Sequence, residues 1–455
     1  MIKEKPTEAL ARFITRLKFE DIPQNCLSVI KMAFLDALGC GLFGSTTPWS
    51  KMINEMVKDC GGNEEATLWA DGYRGPCHTI VMGLGSMIHS FEFDDYHNAK
   101  VHPGAVVQPA AVTYGEKEGI SGGKLITALL AGYETMIRIS LGTGPSASRK
   151  KGWHLTGTCG PFGAAAAVGK IIGLDHHQML SSLGLAGTQS AGLWAFTADG
   201  SMSKRFHPGK AAHSGIIAAE LAKKGFLGPS QILEAEDGGF CRATSDEFNL
   251  ARITEGLGEI YETSLLCIKP YPVCGSIHSS IDAALKLKNE NKILPEDIKE
   301  IVVKNSSGVI LQCGWDYEPL SILQAQMSLK YAVAAAVIDG EVTVDQFSEE
   351  RIRDPEILQF IKKIKVILDE EIDQIYPEKF SSKVEMYLKD GSIVSAYVEH
   401  PKGSPNNPMT EKDVENKFLN LSSRIVGREK ALRIIEIVGK LEELDDLRRL
   451  TRLLV

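Results

Sequence analysis

A chain of 455 residues has room for two or three domains, and its 44% hydrophobic and 24% charged residues match an ordinary globular protein. The formal charge of -8 argues against a nucleic-acid partner, which needs a basic stripe. Nine cysteines at scattered positions form no CxxC pair and read as reduced thiols of a cytoplasmic protein, not as a disulfide frame or an iron–sulfur site. The N-terminal MIKEKPTEALARF is charged and lacks a signal-peptide core. The AAAAVGKIIGL segment is cut by Lys170, so no run of transmembrane length and no membrane partner is expected.

In chain order, almost everything from Thr7 to Leu266 reads as helix. Ala9, Phe13, Ile14 and Leu17 recur at three and four, marking one amphipathic face. Pro23 opens a second helix that leaves through Gly39 and Gly41. Segments 124–139, 163–172, 177–186 and 211–222 are rich in Ala, Gly, Leu and Ile and poor in charge, which predicts helices buried on most sides. The glycines around 143–158 predict a loop leading into a helix.

Composition changes near Lys269. Runs 300–304, 364–368, 383–388 and 393–399 read as strands, the last two joined at Asp390-Gly391 by an expected type I′ turn. Segments 276–287 and 325–338 read as helices, and Thr410 caps the first of the charged helices that close the chain. The expected fold class is mainly α: a large all-helical domain built from both chain ends (1–266 and 405–455) plus a smaller α+β lid domain (267–404).

The chemistry concentrates in residues 88–111, IHSFEFDDYHNAKVHPGAVVQPAA. Glu92, Asp94, Asp95, Tyr96, His97 and His102 sit there among apolar neighbours, where the pKa values of acids and imidazoles are pushed. Its plainer reading is a polar loop between core helices. Four more clusters follow. GWHLTGT places His154 on a glycine-flanked loop before a helix, beside N–H groups that attract anions. GSMSKRFHPGK (200–210) gathers Lys204, Arg205, His207 and Lys210 in what reads as an anion-binding loop. KPYPVCGSIH (269–278) stiffens Lys269 between prolines, and EAEDGGF (234–240) reads as a solvated turn. No HxxxH or HExxH spacing predicts a metal, no strand-borne glycine fingerprint predicts a dinucleotide, and GxSxG is absent. What remains is His, Lys and carboxylate without a cofactor, a set suited to abstracting a proton α to a carboxylate.

HSFEFDDYHNAKVHPG, GWHLTGTCGPFGAAAAVGKIIGL, GSMSKRFHPGKAAHSGIIAAELAKKGFLGP and KPYPVCGSIHSSIDAAL together resemble the MmgE/PrpD family over nearly the whole chain. That family includes 2-methylcitrate dehydratase, cis-aconitate decarboxylase and iminodisuccinate epimerase. The resemblance implies a helical domain, an α+β lid, a homodimer, and metal-free chemistry in the cleft between the domains. It carries active-site roles onto His102 and His154 as acid and base, and onto Lys204 and Lys269 as clamps for substrate carboxylates. Glu92 falls where many members have Asp, Tyr96 where Thr is usual, and Cys274 where the decarboxylase branch has His. The sequence therefore predicts a cofactor-independent lyase for a small di- or tricarboxylate. Catalysis is assigned to His102, His154, Glu92, Asp95 and Tyr96, with Glu92 or Asp95 orienting a histidine, and substrate binding to Lys204, Lys269, Cys274 and His278. The competing readings are an epimerase using the same histidines and a non-catalytic carboxylate-binding dimer.

Overall fold

The computed structural model describes residues 5–198 and 200–455; residues 1–4 of the charged N-terminal stretch lie outside the described residues. The chain divides into two units, one reaching to Ile268 and completed by Thr410–Val455, the other Lys269–Met409. The sequence reading set the corresponding limits at 267 and 404. Among the described residues the protein is mainly α, with the longer strands confined to the second unit.

The first unit is layered around the helix Leu155–Ile171, whose residues are all buried except Lys170. Its alanines and glycines present almost no side-chain bulk. The helices Gly104–Glu118, Gly122–Gly142, His176–Gly187 and Ser203–Lys223 therefore pack directly around it. Two 21-residue helices, Gln24–Gly44 and Gly122–Gly142, are long and apolar enough to cross a membrane, contrary to the expectation that no run would be. Their most apolar windows are 72% and 94% buried in the unit. Each also carries buried charge: Asp36 in the first, and Glu134 paired with Arg138 at 2.8 Å in the second. A two-residue ladder, Ala66–Thr67 with Arg74–Gly75, interrupts the helices and is too short to leave an alternating pattern.

Thr410 accepts from the Asp413 N–H in a capping box and starts the helix Glu411–Val426, which packs on Gln24–Gly44. From this helix Lys417 reaches inward, 2.5 Å from Asp36 and 2.6 Å from the carbonyl oxygen of Phe93. The C-terminal segment thus ties down the 89–103 loop, the polar connection between the helices Cys77–Ile88 and Gly104–Glu118.

The second unit holds a four-stranded sheet in the order Ile364–Leu368, Ile298–Asn305, Ser382–Leu388, Ile393–Val398. The first pair is parallel, with Ile301 opposite Ile364, and the other two are antiparallel. The helix His278–Asn291 packs on its antiparallel side. The expected type I′ turn is not what closes the last hairpin. That turn needs positive φ at both central residues, whereas in this hairpin Gly391 alone has it, at 91°. Gly391 N–H donates to Leu388 O, and Asp390 accepts from Ser392 N–H at 2.9 Å, giving a three-residue loop, 389–391.

Candidate active site

Three helix N-termini in the first unit bring the histidines and the lysine together. His102 stands two residues before Gly104–Glu118, His154 is the N-cap of Leu155–Ile171, and Lys204 lies in the first turn of Ser203–Lys223. The last placement corrects the sequence reading of 200–210 as a loop. Pro208-Gly209 look like helix breakers, but the helix runs through them. Pro208 forgoes one intrahelical bond, and Gly209 is needed because a Cβ there would lie 2.2 Å from Met82 O. That close approach lays the basic first turn of this helix against Cys77–Ile88, which ends next to His89. The expected 143–158 loop likewise contains a short helix, Pro145–Lys150.

At the centre is the fully buried Asp94. Its Oδ2 lies 2.8 Å from His89 Nδ1 and 3.2 Å from His102 Nδ1. His102 Nδ1 is also 2.9 Å from the Asp95 carbonyl oxygen. A carbonyl only accepts, so Nδ1 of His102 carries the proton and Nε2 of the neutral ring keeps a lone pair. Burial opposes an ionised Asp94, but the imidazoles of His89 and His102 outweigh it and hold the carboxyl well below the usual range. Burial pushes His89 down to about 4 against the pull of Asp94. His89 is therefore neutral, with Nδ1–H on Asp94. Its Nε2 is buried without a hydrogen-bond partner among the described residues, as is Asp94 Oδ1.

Asp95 is held differently. It accepts from Gly104 N–H at 2.9 Å and Tyr133 O–H at 3.1 Å, and a Cβ at Gly104 would collide with the carboxylate at 2.6 Å. Burial, and after it the charges of Asp94 and Asp36, raise its carboxyl well above the usual range. The two adjacent acids are thus pushed in opposite directions, Asp94 toward the anion and Asp95 toward the neutral acid.

His154 completes the cluster. Its ring stacks 6.0 Å from that of His89, and its Nδ1 meets His207 Nδ1 at 2.9 Å, so one ring donates to the other. Trp194 and Phe196 cover it edge-on at 5.3 and 5.6 Å. Burial, then the neighbouring His89 and Lys204, push His154 well down, and burial and Lys204 lower His207. Lys204 is hydrogen-bonded to Glu92 Oε1, which also accepts from Arg205 at 3.1 Å. Glu92 makes these contacts from a left-handed backbone, φ 57°, uncommon for a side chain of its size.

Comparison with known proteins matches residues 8–252 to the MmgE/PrpD N-terminal domain and residues 271–443 to the MmgE/PrpD C-terminal domain. The chain belongs to the MmgE/PrpD family. It is 30% identical to the cis-aconitate decarboxylase-like protein oryM of Aspergillus oryzae over 98% of this chain and 97% of that one. It is 28% identical to human cis-aconitate decarboxylase over 100% of this chain and 95% of the relative. The mitochondrial 2-methylcitrate dehydratase of Yarrowia lipolytica is 22% identical over 88% and 80% of the two chains.

In this MmgE/PrpD chain the first unit brings Glu92, Asp95, His102, His154 and Lys204 into one cluster, with Tyr96 at its edge, 6.4 Å ring to ring from His102. The Tyr96 backbone is clipped to Cys267 by a bond in each direction, at 2.9 and 2.8 Å. Lys269, Cys274 and His278 belong to the second unit. Lys269 is buried and Cys274 half-buried. His278 is turned into that unit's core, with its ring 5.4 Å from Tyr271 and Nε2 3.4 Å from Val273 O. The sequence reading gave no site role to His89, Asp94, His207 or Lys417. For His89, Asp94 and His207 the signal was present, since they lie inside the motifs already singled out. Lys417 gave none. Glu234 of the acidic turn accepts from Thr7, while Glu236 and Asp237 are exposed, as a solvated turn requires.

His89, Asp94 and His102 each place one ligand-capable atom within 4.8 Å of the others, so this set could hold a divalent cation. Here the Asp94 oxygen already bonds Nδ1 of both rings, and an ion seated among those atoms would displace both bonds.

Proposed function

We propose that this chain is a cofactor-independent lyase for a small tricarboxylate such as 2-methylcitrate or cis-aconitate: in a dehydration it takes a proton α to a carboxylate as hydroxide leaves, and in a decarboxylation the electron pair left by carbon dioxide is captured by a proton delivered to carbon. The relatives named above as cis-aconitate decarboxylase and 2-methylcitrate dehydratase are lyases, and they cover nearly the full chain. The single observation that carries the reading is the convergence of three helix N-termini on a cluster of imidazoles with Lys204 beside them. Helix N-termini attract anions and keep nearby histidines uncharged, so the site favours a carboxylate and offers it a base.

In this mechanism Nε2 of His102 takes the proton. Asp94 holds the ring by Nδ1 and stabilises the imidazolium that forms, as a carboxylate does for a catalytic histidine. His154 gives its Nε2 proton to the leaving group or the product carbon while its Nδ1 is held by the hydrogen bond with His207, and it regains a proton from solvent as the site resets. Lys204 neutralises a substrate carboxylate and the charge that develops in the enolate-like transition state. Nine free thiols fit a reducing compartment, so we place the enzyme in the cytoplasm, as a homodimer. The test is an NMR screen of cis-aconitate, 2-methylcitrate, citrate and iminodisuccinate analogues with chelator-treated protein. Elimination or decarboxylation is expected, and its absence with all four from folded protein would overturn the reading. Activity that vanishes with chelation and returns with a divalent cation would overturn its cofactor-independent part.

A further inference from the structure

In the second unit, Cys274 and Cys313 flank a single hydroxyl. Ser276 Oγ lies 3.0 Å from Cys274 Sγ and 3.8 Å from Cys313 Sγ. Cys274 is half-buried, whereas Cys313 is buried at the end of the helix Ser307–Cys313. Cys274 also immediately precedes the 275–277 turn that runs into the helix His278–Asn291. The hydrogen bond from Cys313 and then, against burial, those from Ser276 and the charge of Lys269 bring the Cys274 thiol down to about 6. Burial, then the charges of Cys274 and Cys313, raise the Tyr376 phenol, which places both sulfurs in one neighbourhood. The contrast with the other thiols is sharp. Burial raises Cys26, Cys40, Cys77, Cys159, Cys241 and Cys267, and leaves them poor nucleophiles.

We propose that Cys274 and Cys313 form an oxidation site, in which Cys274 reacts with a hydroperoxide and Cys313 resolves the product as an intramolecular disulfide. The Cys274 thiolate attacks one peroxide oxygen. The O–O bond breaks, the departing hydroxide takes a proton as water, and Cys274 becomes a sulfenic acid. The Cys313 sulfur then attacks Cys274 Sγ, the S–O bond breaks, and a second water leaves with the Cys313 proton. Two thiols lose two electrons, and one hydrogen peroxide becomes two waters. Neither the chemistry nor its test depends on the carboxylate-lyase reading. The oxidation removes a thiolate beside Lys269.

The experiment exposes the full chain to stoichiometric hydrogen peroxide and maps all nine cysteines by peptide mass spectrometry. A Cys274–Cys313 bridge is expected before any other oxidation, reversed by dithiothreitol. In Cys313→Ser, Cys274 should stop at the sulfenic acid and be captured by dimedone. Oxidation of the exposed Cys60 with Cys274 left reduced would overturn the proposal. So would Cys274 passing to the sulfinic acid in the wild-type chain without a bridge.

Discussion

Nδ1 of His102 lies 2.9 Å from the carbonyl oxygen of Asp95 and 3.2 Å from the carboxylate of Asp94. Two acceptors on one ring nitrogen leave a single tautomer, and it is the one that exposes a basic Nε2. Asp94→Asn replaces one acceptor with a group whose amide competes to donate, so the ring loses that constraint. The expected result is a fall in kcat of about 100-fold or more, within the range of general acid–base catalysis, with a smaller change in KM. Steady-state kinetics on the substrate found in the screen checks it.

His207→Phe removes the nitrogen that meets His154 Nδ1 while keeping a ring against Phe196. We expect kcat to drop by about 10-fold or more and the pH–rate profile to shift, because the orientation of His154 is lost and its burial is not. An unchanged profile would assign His207 a packing role only.

Glu92→Ala removes the carboxylate that pairs with Arg205 and Lys204, whose side chains are 6% and 14% exposed. Breaking such a pair from one side costs about 3–5 kcal/mol, to be read from the urea midpoint. Lys417→Met is expected to cost a similar amount by removing the buried cation paired with Asp36. It should also lower kcat, since the Phe93 carbonyl that Lys417 holds lies between Glu92 and Asp94.

Burial holds His89 and His97 down to about 4 in the folded chain, from 6.5. Between pH 6.5 and about 4 the unfolded chain binds protons that the folded one refuses, so stability falls as pH drops through that window and no further below it on their account. The two together amount to a few kcal/mol on the order of the linkage involved. His97→Gln should flatten the decline in melting temperature over this window, and a slope equal to wild type would contradict the assignment.

Much of the helical unit was legible because alanine- and glycine-rich segments can only be buried, and the strands 364–368 and 393–398 because β-branched runs between turn residues read locally. The site was legible where chemistry lies within one motif, as for His102, His154 and Lys204. Three things were hidden. The N-terminal placement of Lys204 was masked by Pro208-Gly209, which signals a break that close packing on Met82 overrides. The division of labour between Asp94 and Asp95 depends on which one faces two imidazoles, and adjacent residues in a sequence cannot show that. Lys417 acts on Phe93 from 324 residues away, a relation that exists only after the C-terminal helix has returned to the first unit.

The central claim is proton transfer by His102 to and from a carbon next to a carboxylate. Its most direct test is turnover in deuterated water followed by NMR, comparing the wild-type chain with His102→Gln. The account predicts eliminated or decarboxylated product from the wild type and loss of turnover by about 100- to 10,000-fold in a folded His102→Gln. Near wild-type turnover in that variant would contradict it, and deuterium entering recovered starting material with no product formed would contradict the lyase reading.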